Sequence, residues 1–152
     1  MLELSKKQTL ELFDKVSFFE HLTYEEKSLM ASFKTNVAGF ANGQNIIRQG
    51  DLDRAVYVLL KGKAHVSRKE KSNVKINILK PGDIFGEISF FSNRPRSTNV
   101  VAEGNVMALK MDWSLIEELS PSIKNKIKDK LIDVVIQRLD EINKILLDNV
   151  RF

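Results

Sequence analysis

The residues of this chain whose types and spacing could bind a ligand lie in one short segment. Gly86 and Glu87 follow an apolar run, and Arg96 and Ser97 come one short loop later, directly after Pro95. A guanidinium offers two parallel donors to two phosphate oxygens, and a glycine lets a ligand approach the backbone closely. A carboxylate would repel that phosphate, so we expect Glu87 to accept a hydroxyl of a sugar instead. The segment therefore predicts a site for a sugar phosphate.

The same segment predicts a short helix. Residues 83–85 have the character of a strand end, and residues 87–91 form about one helical turn that begins at Gly86. The start of a helix presents free backbone N–H groups and the positive end of its dipole, which favours an anion.

Several kinds of chemistry lack the residues they need. The chain has no cysteine, so disulfides, thiolate metal sites and cysteine nucleophiles are excluded. Its two histidines, His21 and His65, are far apart and show no ligand spacing. A cupin-like metalloenzyme needs a His-x-His set, and a phosphodiesterase needs clustered His and Asp ligands. We therefore expect no metal and no catalysis.

Composition indicates one globular domain. The 152 residues are 43% hydrophobic and 29% charged, enough to bury a real core. The net charge of +4 is spread along the chain and is too diffuse to predict binding to nucleic acid. The N-terminus lacks the apolar region of a signal peptide, and the longest apolar run, residues 55–60, is too short for a bilayer. We expect a cytoplasmic protein without direct contact with membrane.

The elements that must position the segment follow from periodicity. Thr23 lies three residues before Glu26, the spacing of a capping box, ahead of a helical pattern. Over residues 35–112, β-branched and aromatic runs alternate with turn signals such as residues 61–63, Lys-Gly-Lys, which indicates an all-β sandwich or barrel. The apolar members of residues 74–78 alternate with polar ones, which predicts a half-buried strand.

A long helix is predicted at the C-terminus. Ser120 is its expected N-cap and Pro121 its first helical residue. Its apolar positions recur three or four residues apart and predict one continuous stripe: Ile127, Leu131, Val135, Leu139, Ile142, Leu146 and Val150. The stripe is longer than a small β domain can cover, so we expect it to form either a dimer seam or a lid. Because charged residues lie off the stripe, we favour the homodimer.

The segment from Gly86 to Ser97 resembles the phosphate-binding cassette of cyclic nucleotide-binding domains. This family includes catabolite activator proteins, kinase regulatory subunits and cyclic-nucleotide-gated channels. The family cassette runs Phe-Gly-Glu-(Leu/Ile)-Ala-Leu and, after a short loop, Pro-Arg-(Ala/Ser/Thr)-Ala-Thr-Val. Here residues 85–90 are Phe-Gly-Glu-Ile-Ser-Phe and residues 95–100 are Pro-Arg-Ser-Thr-Asn-Val. Further stretches that resemble the family, in order, are "LTYEEKSLMASF", "NGQNIIRQGD", "AVYVLLKGKAHV" and "LKPGDIFGE".

The resemblance implies a mainly β fold with flanking helices. This is the cyclic nucleotide-binding β-roll, a double-stranded β-helix or jelly roll, with N-terminal helices, a short cassette helix and a long C-terminal helix. Residues 1–152 would then form one domain, with N-terminal helices in residues 1–34, the β-roll in 35–112 and C-terminal helices in 113–152. Residues 85–98, which we call the cassette, would form the ligand site.

The resemblance also implies a role for each matching residue. The cyclic phosphate would be bound by Arg96, Ser97, Ile88 and Ser89, the ribose by Gly86 and Glu87, and the pocket wall would be formed by Val66, Ile76 and Leu79. In the C-terminal helix, Gln137 and Arg138 are the polar residues that could reach the purine base. The implied ligand is cAMP, with cGMP as the alternative, and no cofactor is implied.

Three positions depart from the family pattern. Ser89 and Thr98 stand where the family usually has alanine, and Asn99 replaces the usual threonine or serine. Because two of these positions lie near the sugar phosphate, the departures leave the identity of the ligand more open than its binding.

The implied function is that of a non-catalytic regulatory module which senses a cyclic purine nucleotide and signals to an unknown effector through helix rearrangement. The sequence ends at Phe152 without a helix-turn-helix, so we expect a single-domain form that does not bind DNA directly. Two alternatives remain open. One is a truncated transcription regulator of the catabolite-activator type, and the other is a degenerate domain that serves as a protein-interaction scaffold.

Overall fold

The computed structural model describes residues 4–32 and 37–150. The helices are α1 (Lys6–Asp14), α2 (Tyr24–Ala31), α3 (Glu87–Ser92), α4 (Trp113–Glu118) and α5 (Pro121–Asp148), with a 3-10 turn at Ser17–Phe19. The strands are β1 (Val37–Phe40), β2 (Asn45–Ile47), β3 (Ala55–Ser67), β4 (Asn77–Leu79), β5 (Ile84–Phe85) and β6 (Asn99–Asp112). The implied β-roll with flanking helices is confirmed. The predicted boundary at residues 34 and 35 lies outside the described residues.

The two long strands, β3 and β6, form the centre of a six-stranded antiparallel sheet. β1 and β2 pair with β6, whereas β4 and β5 pair with β3. The cassette runs from the end of β5, through α3, to the start of β6. The sheet therefore fixes both ends of the cassette on neighbouring central strands.

The turn predicted at residues 61–63 is wrong, because β3 continues through it. Gly62 has φ of +92° there, and the register with β6 shifts on both sides of Lys61. A Cβ at Gly62 would lie 2.3 Å from the carbonyl oxygen of Asn105. The glycine thus bends the strand against its partner, as glycine does in a bulge, without ending it.

Both faces of β3 are covered, which explains its six consecutive buried residues. Side chains of a strand alternate between its two faces. Val56, Val58 and Leu60 belong to the core under the helices, together with residues such as Phe13 and Ile116. Ala55, Tyr57 and Leu59 belong to a second core inside the roll, which also contains Ile47, Leu79, Phe85, Val100 and Val106.

The half-buried strand predicted over residues 74–78 is wrong in its extent and burial. β4 contains only Asn77–Leu79, and Val74, Ile76 and Ile78 are 47%, 56% and 42% exposed. Ile76 faces the cavity described below, and within the part of the chain that the structure describes β4 pairs only with β3. An alternating pattern does not distinguish a core face from a cavity wall at an edge strand, which is why periodicity misplaced these residues.

Helix α5 begins at Pro121 with Ser120 as its N-cap, as predicted. Its first half buries Ile123, Ile127 and Leu131, whereas every residue from 132 to 148 is half-buried or exposed. The second half of the predicted stripe is therefore not covered by the β-roll. With 3.6 residues per turn, each step of four residues advances about 40° beyond a full turn, so a four-residue stripe winds off the core face.

No helix within residues 4–32 and 37–150 is long and apolar enough to cross a membrane. The cytoplasmic location remains a prediction.

The predicted capping box of α2 is confirmed, and it extends into a link with α5. The Thr23 amide donates to Glu26 Oε1 at 2.9 Å, and the Glu26 amide donates to Thr23 Oγ1 at 3.2 Å. Glu26 also accepts hydrogen bonds from Lys126 Nζ at 2.6 Å and from Ser122 Oγ at 3.2 Å. The bond from Lys126, followed by that from the Thr23 backbone, lowers the pKa of Glu26 from 4.5 to about 2.

This link predicts a specific loss of stability in acid. A carboxyl whose pKa is lower in the folded state stabilises the fold above its unfolded pKa, and this contribution is lost as the pH falls through the folded pKa. The contribution of Glu26 to the free energy of unfolding should therefore be complete above pH 4.5 and decline towards pH 2. Urea unfolding between pH 4.5 and pH 2 should show that the free energy of unfolding declines less in Glu26→Gln than in the native chain. Glu25→Gln, at an exposed position of the same helix, is the control and should keep the native decline. An equal decline in both variants would contradict the assignment.

Candidate ligand-binding site

A cavity of about 420 Å³ lies between the cassette, the β3–β4 edge and α5. This volume is in the range of small-molecule sites. The structure brings to its wall these predicted site residues: Val66, Ile76, Leu79, Gly86, Glu87, Ile88, Ser89, Arg96, Ser97 and Arg138. Gln137 is not among them. It lines a neighbouring cleft of about 410 Å³.

Arg96 is buried in the cavity wall, with 5% of its surface exposed. Its Nη1 donates to the carbonyl oxygen of Gly86 at 2.8 Å. Its Nη2 donates to the carbonyl oxygen of Ala55 at 2.6 Å and to Asp53 Oδ2 at 3.3 Å. Its Nε is buried and has no hydrogen-bond partner among the described residues. A buried donor without a partner is costly, so this atom is a strong candidate for contact with an anion.

The backbone on either side of this guanidinium is also fixed. The Arg96 amide donates to the carbonyl oxygen of Asp51 at 2.8 Å, and the Gly50 amide donates to the carbonyl oxygen of Arg96, also at 2.8 Å. These two bonds tie the second half of the cassette to the turn after β2. These bonds fix the backbone of Arg96, so the position of the guanidinium does not depend only on the conformation of its long side chain.

Gly86 is the N-cap of α3 and has φ of +82°. A Cβ here would lie 2.8 Å from Arg96 Nη1 and 3.2 Å from the carbonyl oxygen of Ala55. The glycine is thus required for the close approach of Arg96 to the backbone of Gly86, as well as for the left-handed conformation. From sequence alone, we attributed this glycine only to approach by a ligand.

Glu87, the first residue of α3, is 4% exposed and forms an ion pair with Arg138 of α5. The second terminal nitrogen of Arg138 donates to the carbonyl oxygen of Ile84. Arg138, for which the sequence suggested a base contact, is therefore placed on the predicted ribose acceptor. One carboxylate oxygen of Glu87, Oε1, receives this bond.

Asn99, one of the departures from the family pattern, faces away from the cavity. Its Oδ1 accepts hydrogen bonds from the Gln49 amide at 2.7 Å and from Asn45 Nδ2 at 3.3 Å. These bonds join the start of β6 to β2. The other two departures, Ser89 and Thr98, do line the cavity.

Part of the cavity wall is apolar. Phe85 lines the cavity and stacks on Tyr57 with ring centroids 5.2 Å apart. Burial of Tyr57, with the negative charge of Asp53 as the next cause, raises the pKa of Tyr57 to about 12.

An arginine and a tryptophan hold the cassette helix against α5. Arg54 Nε donates to the carbonyl oxygen of Phe90 in α3 at 2.8 Å, and its guanidinium lies 3.6 Å from the centroid of the Trp113 ring. Lys128 Nζ of α5 lies 4.8 Å from the same centroid. Cations over an indole face are attracted to it, so these contacts link α3 with α5 through α4.

Sequence reasoning missed Asp53 and the cavity-lining residues Ile47, Asn77, Val100 and Ile142. Asp53 reaches Arg96 across 43 positions of sequence, and Ile142 lines the cavity from α5. Asp53 lies in a turn-like stretch where an acidic residue carries no signal of pairing. Ile142 was assigned to the apolar stripe of α5, and the stripe pattern does not reveal which members face a cavity.

Comparison with known proteins places these features in context. The model of the family described as "Cyclic nucleotide-binding domain" matches residues 38–120, more than half of the chain. The chain is 31% identical over 110 residues to a cGMP-dependent protein kinase of Toxoplasma gondii. This alignment covers 72% of the chain and 11% of the kinase, so the chain spans only a small part of that relative.

Two solved structures are similar in fold. A cyclic nucleotide-binding domain from Methylobacillus flagellatus KT matches 97% of this chain and 85% of that chain, with a TM-score of 0.75 and 21% identity. The catabolite activator protein of Thermus thermophilus matches 85% of this chain and 61% of that chain, with a TM-score of 0.69 and 27% identity.

The environment of Gly86 predicts an unusually costly alanine substitution. Gly86→Ala should lower the free energy of unfolding by about 1–2 kcal/mol for the left-handed backbone and by about 1–3 kcal/mol more for the clash with Arg96. Gly43 has nearly the same φ, +83°, but nothing within 4 Å of its Cβ position. Urea unfolding of Gly86→Ala and of the matched Gly43→Ala should separate the two costs. Equal destabilisation would contradict the close approach to Arg96.

Proposed function

We propose that this chain, which belongs to the cyclic nucleotide-binding domain family, is a regulatory module that binds a 3′,5′-cyclic purine nucleotide, with cAMP preferred, and does not alter it chemically. We propose further that residues 1–152 act as one ligand-binding domain. The cavity beside the cassette is the proposed site.

The single observation that carries the proposal is the buried guanidinium of Arg96. Three acceptors already hold it, namely the carbonyl oxygens of Gly86 and Ala55 and the carboxylate of Asp53. Its Nε is still left without a partner among the described residues. A cyclic phosphate supplies the anionic oxygen that this donor lacks. Since three bonds hold the guanidinium in place before a ligand arrives, little conformational entropy would be lost on binding.

The ribose is assigned to Glu87. Its carboxylate lines the cavity and uses Oε1 for Arg138, which leaves Oε2 without a hydrogen-bond partner among the described residues. The 2′-hydroxyl of a ribose can donate to that oxygen.

The preference for cAMP follows from the apolar surface around the cavity mouth. Ile76, Ile88 and Ile142 are each more than half exposed and line the cavity. Adenine and guanine each carry one exocyclic amino group, but guanine also carries a carbonyl oxygen and an N1–H. Guanine would therefore leave more polar groups without partners against such a surface, and unpaired polar groups weaken binding. The kinase relative from Toxoplasma gondii is cGMP-dependent, which makes cGMP the ligand to test against cAMP.

The degenerate-scaffold alternative loses one of its two supports. The departures from the family pattern at Thr98 and Asn99 are the features that favour it, but the Asn99 side chain bonds Gln49 and Asn45 and does not line the cavity. The cavity between the cassette and α5 remains open to a ligand.

The ligand assignment predicts a measurable role for the guanidinium. Removing the side chain of Arg96 would also remove its bonds to Gly86 and Ala55, so Arg96→Lys is the cleaner variant. A lysine keeps the charge but not the planar fork, so affinity for cAMP should fall by about 1.5–3 kcal/mol. Arg94→Lys, at an exposed position, is the matched control and should bind as the native chain does.

Calorimetric titration with cAMP, cGMP and cyclic di-GMP would measure these affinities. We expect the native chain to bind cAMP most tightly. If none of the three nucleotides bound to the folded native chain, the proposed function would be wrong.

We also propose that the chain forms a homodimer through the outer face of α5. Ile132, Ile136, Leu139 and Leu146 are 46%, 50%, 54% and 58% exposed. Val135, Leu139, Ile142 and Leu146 follow the alternating four- and three-residue spacing of a coiled-coil seam. Contiguous apolar surface of this kind marks an interaction site. A second copy presents the same spacing and would cover it by two-fold pairing.

If the chain pairs through this face, its mass in solution should depend on the apolar side chains there. Sedimentation or light scattering, with and without cAMP, should give a dimer for the native chain and a monomer for Leu139→Asp/Leu146→Asp. A charge in an apolar seam loses its hydration without gaining a partner, which should abolish pairing. Lys144→Asp, on the polar side of α5, is the control and should remain dimeric. A native monomer at every concentration would rule out the dimer.

A further inference from the structure

The contact between Arg138 and Glu87 joins the middle of α5 to the start of the cassette helix. One terminal nitrogen of Arg138 donates to Glu87 Oε1, and the other donates to the carbonyl oxygen of Ile84. The Arg138 side chain is 36% exposed, whereas that of Glu87 is 6% exposed. The arginine therefore reaches from the surface helix into the cavity wall and holds both the end of β5 and the start of α3.

This contact orients the proposed ribose acceptor. Arg138 is the cation bonded to Glu87, and removing one partner of a buried ion pair is strongly disfavoured. The ion pair restricts the rotation of the Glu87 side chain. Oε2 remains without a hydrogen-bond partner among the described residues and can accept a hydroxyl. Arg138 therefore acts on a ligand through Glu87.

The same contact fastens the second half of α5. Every residue from 132 to 148 is half-buried or exposed, so little apolar burial holds this segment. Among the described residues, the side-chain hydrogen bonds that join residues 132–148 to elements other than α5 are the two made by Arg138. Ile142, one turn later, lines the cavity. Arg138 therefore attaches this half-helix to β5 and α3.

We propose that Arg138 is a positioning residue for Glu87, and that a ribose 2′-hydroxyl bound to Glu87 strengthens the hold of Arg138 on the second half of α5. This inference rests on the proposed function, because it takes the ribose as the partner of Glu87. A hydroxyl, the carboxylate and the guanidinium form one chain of hydrogen bonds, and such chains strengthen one another. By linkage, if the ion pair raises affinity for the ligand, the ligand must stabilise the ion pair by the same factor.

The first test compares cAMP with 2′-deoxy-cAMP, which lacks the hydroxyl. The native chain should bind cAMP about tenfold more tightly or better, the factor expected for a hydrogen bond to a charged group. In Arg138→Gln this ratio should fall towards one, because Glu87 is no longer held, and Arg138→Lys should restore part of it. Lys144→Ala removes an exposed cation of α5 and should keep the native ratio. A native ratio in Arg138→Gln would overturn the positioning role.

The second test is hydrogen exchange of residues 132–148, and its first arm needs no ligand. In the ligand-free chain, Arg138→Gln should raise the exchange rates of these amides several-fold, whereas Lys144→Ala should leave them unchanged. Adding cAMP should slow exchange of the segment in the native chain more than adding 2′-deoxy-cAMP does. Equal exchange in the ligand-free native and Arg138→Gln chains would overturn the fastening. If the native chain bound no cyclic nucleotide, the proposed function would fail while this arm still measured the role of Arg138.

Discussion

The burial of one guanidinium is the constraint on which the rest of this structure depends. A charged side chain can remain in a protein interior only if its donors are satisfied, and for Arg96 the acceptors come from three separate parts of the chain. These are the turn before β3, the first residue of β3 and the end of β5. The sheet must bring those three parts together, and Gly86 must lack a side chain where Arg96 passes. The fold is thus built around a cation that keeps one buried donor, Nε, without a partner among the described residues.

A second ion pair gives this interior site a connection to the surface. Arg96 is held by elements of the β-roll, but Glu87 is held by a helix that packs on the roll only through its first half. Under the proposed function, the phosphate end of a ligand would meet a wall formed by the β-roll, whereas its sugar end would meet Glu87, which is paired with a residue of α5. A regulatory domain needs this asymmetry, because a ligand shifts a conformational equilibrium only by contacts that differ between the two states.

How well the sequence predicted each of these features depends on how far apart in the sequence the residues that determine it lie. Local signals succeeded: the capping box at Thr23, the start of α5 at Pro121 and the short helix after Gly86 each depend on neighbouring residues. The cassette motif also named most of the residues that line the cavity. Features set by distant partners were missed. The pairing of Asp53 with Arg96, the continuation of β3 through Gly62 and the exposure of Ile76 all depend on which segments meet in three dimensions.

The pairing of β3 with β6 also has a consequence for the order of folding. Their ladder joins residues as distant as Ala55 and Asp112, and closing so long a loop carries a large entropic cost and slows folding. The cassette lies inside that loop, and one acceptor of Arg96, the carbonyl oxygen of Ala55, belongs to β3 itself. A nascent chain or a fragment that ends before β6 would therefore lack the ladder that joins β3 to the end of the cassette. Ligand binding would then act only on chains that have completed the slowest step, which makes the ligand a selective stabiliser of fully folded molecules.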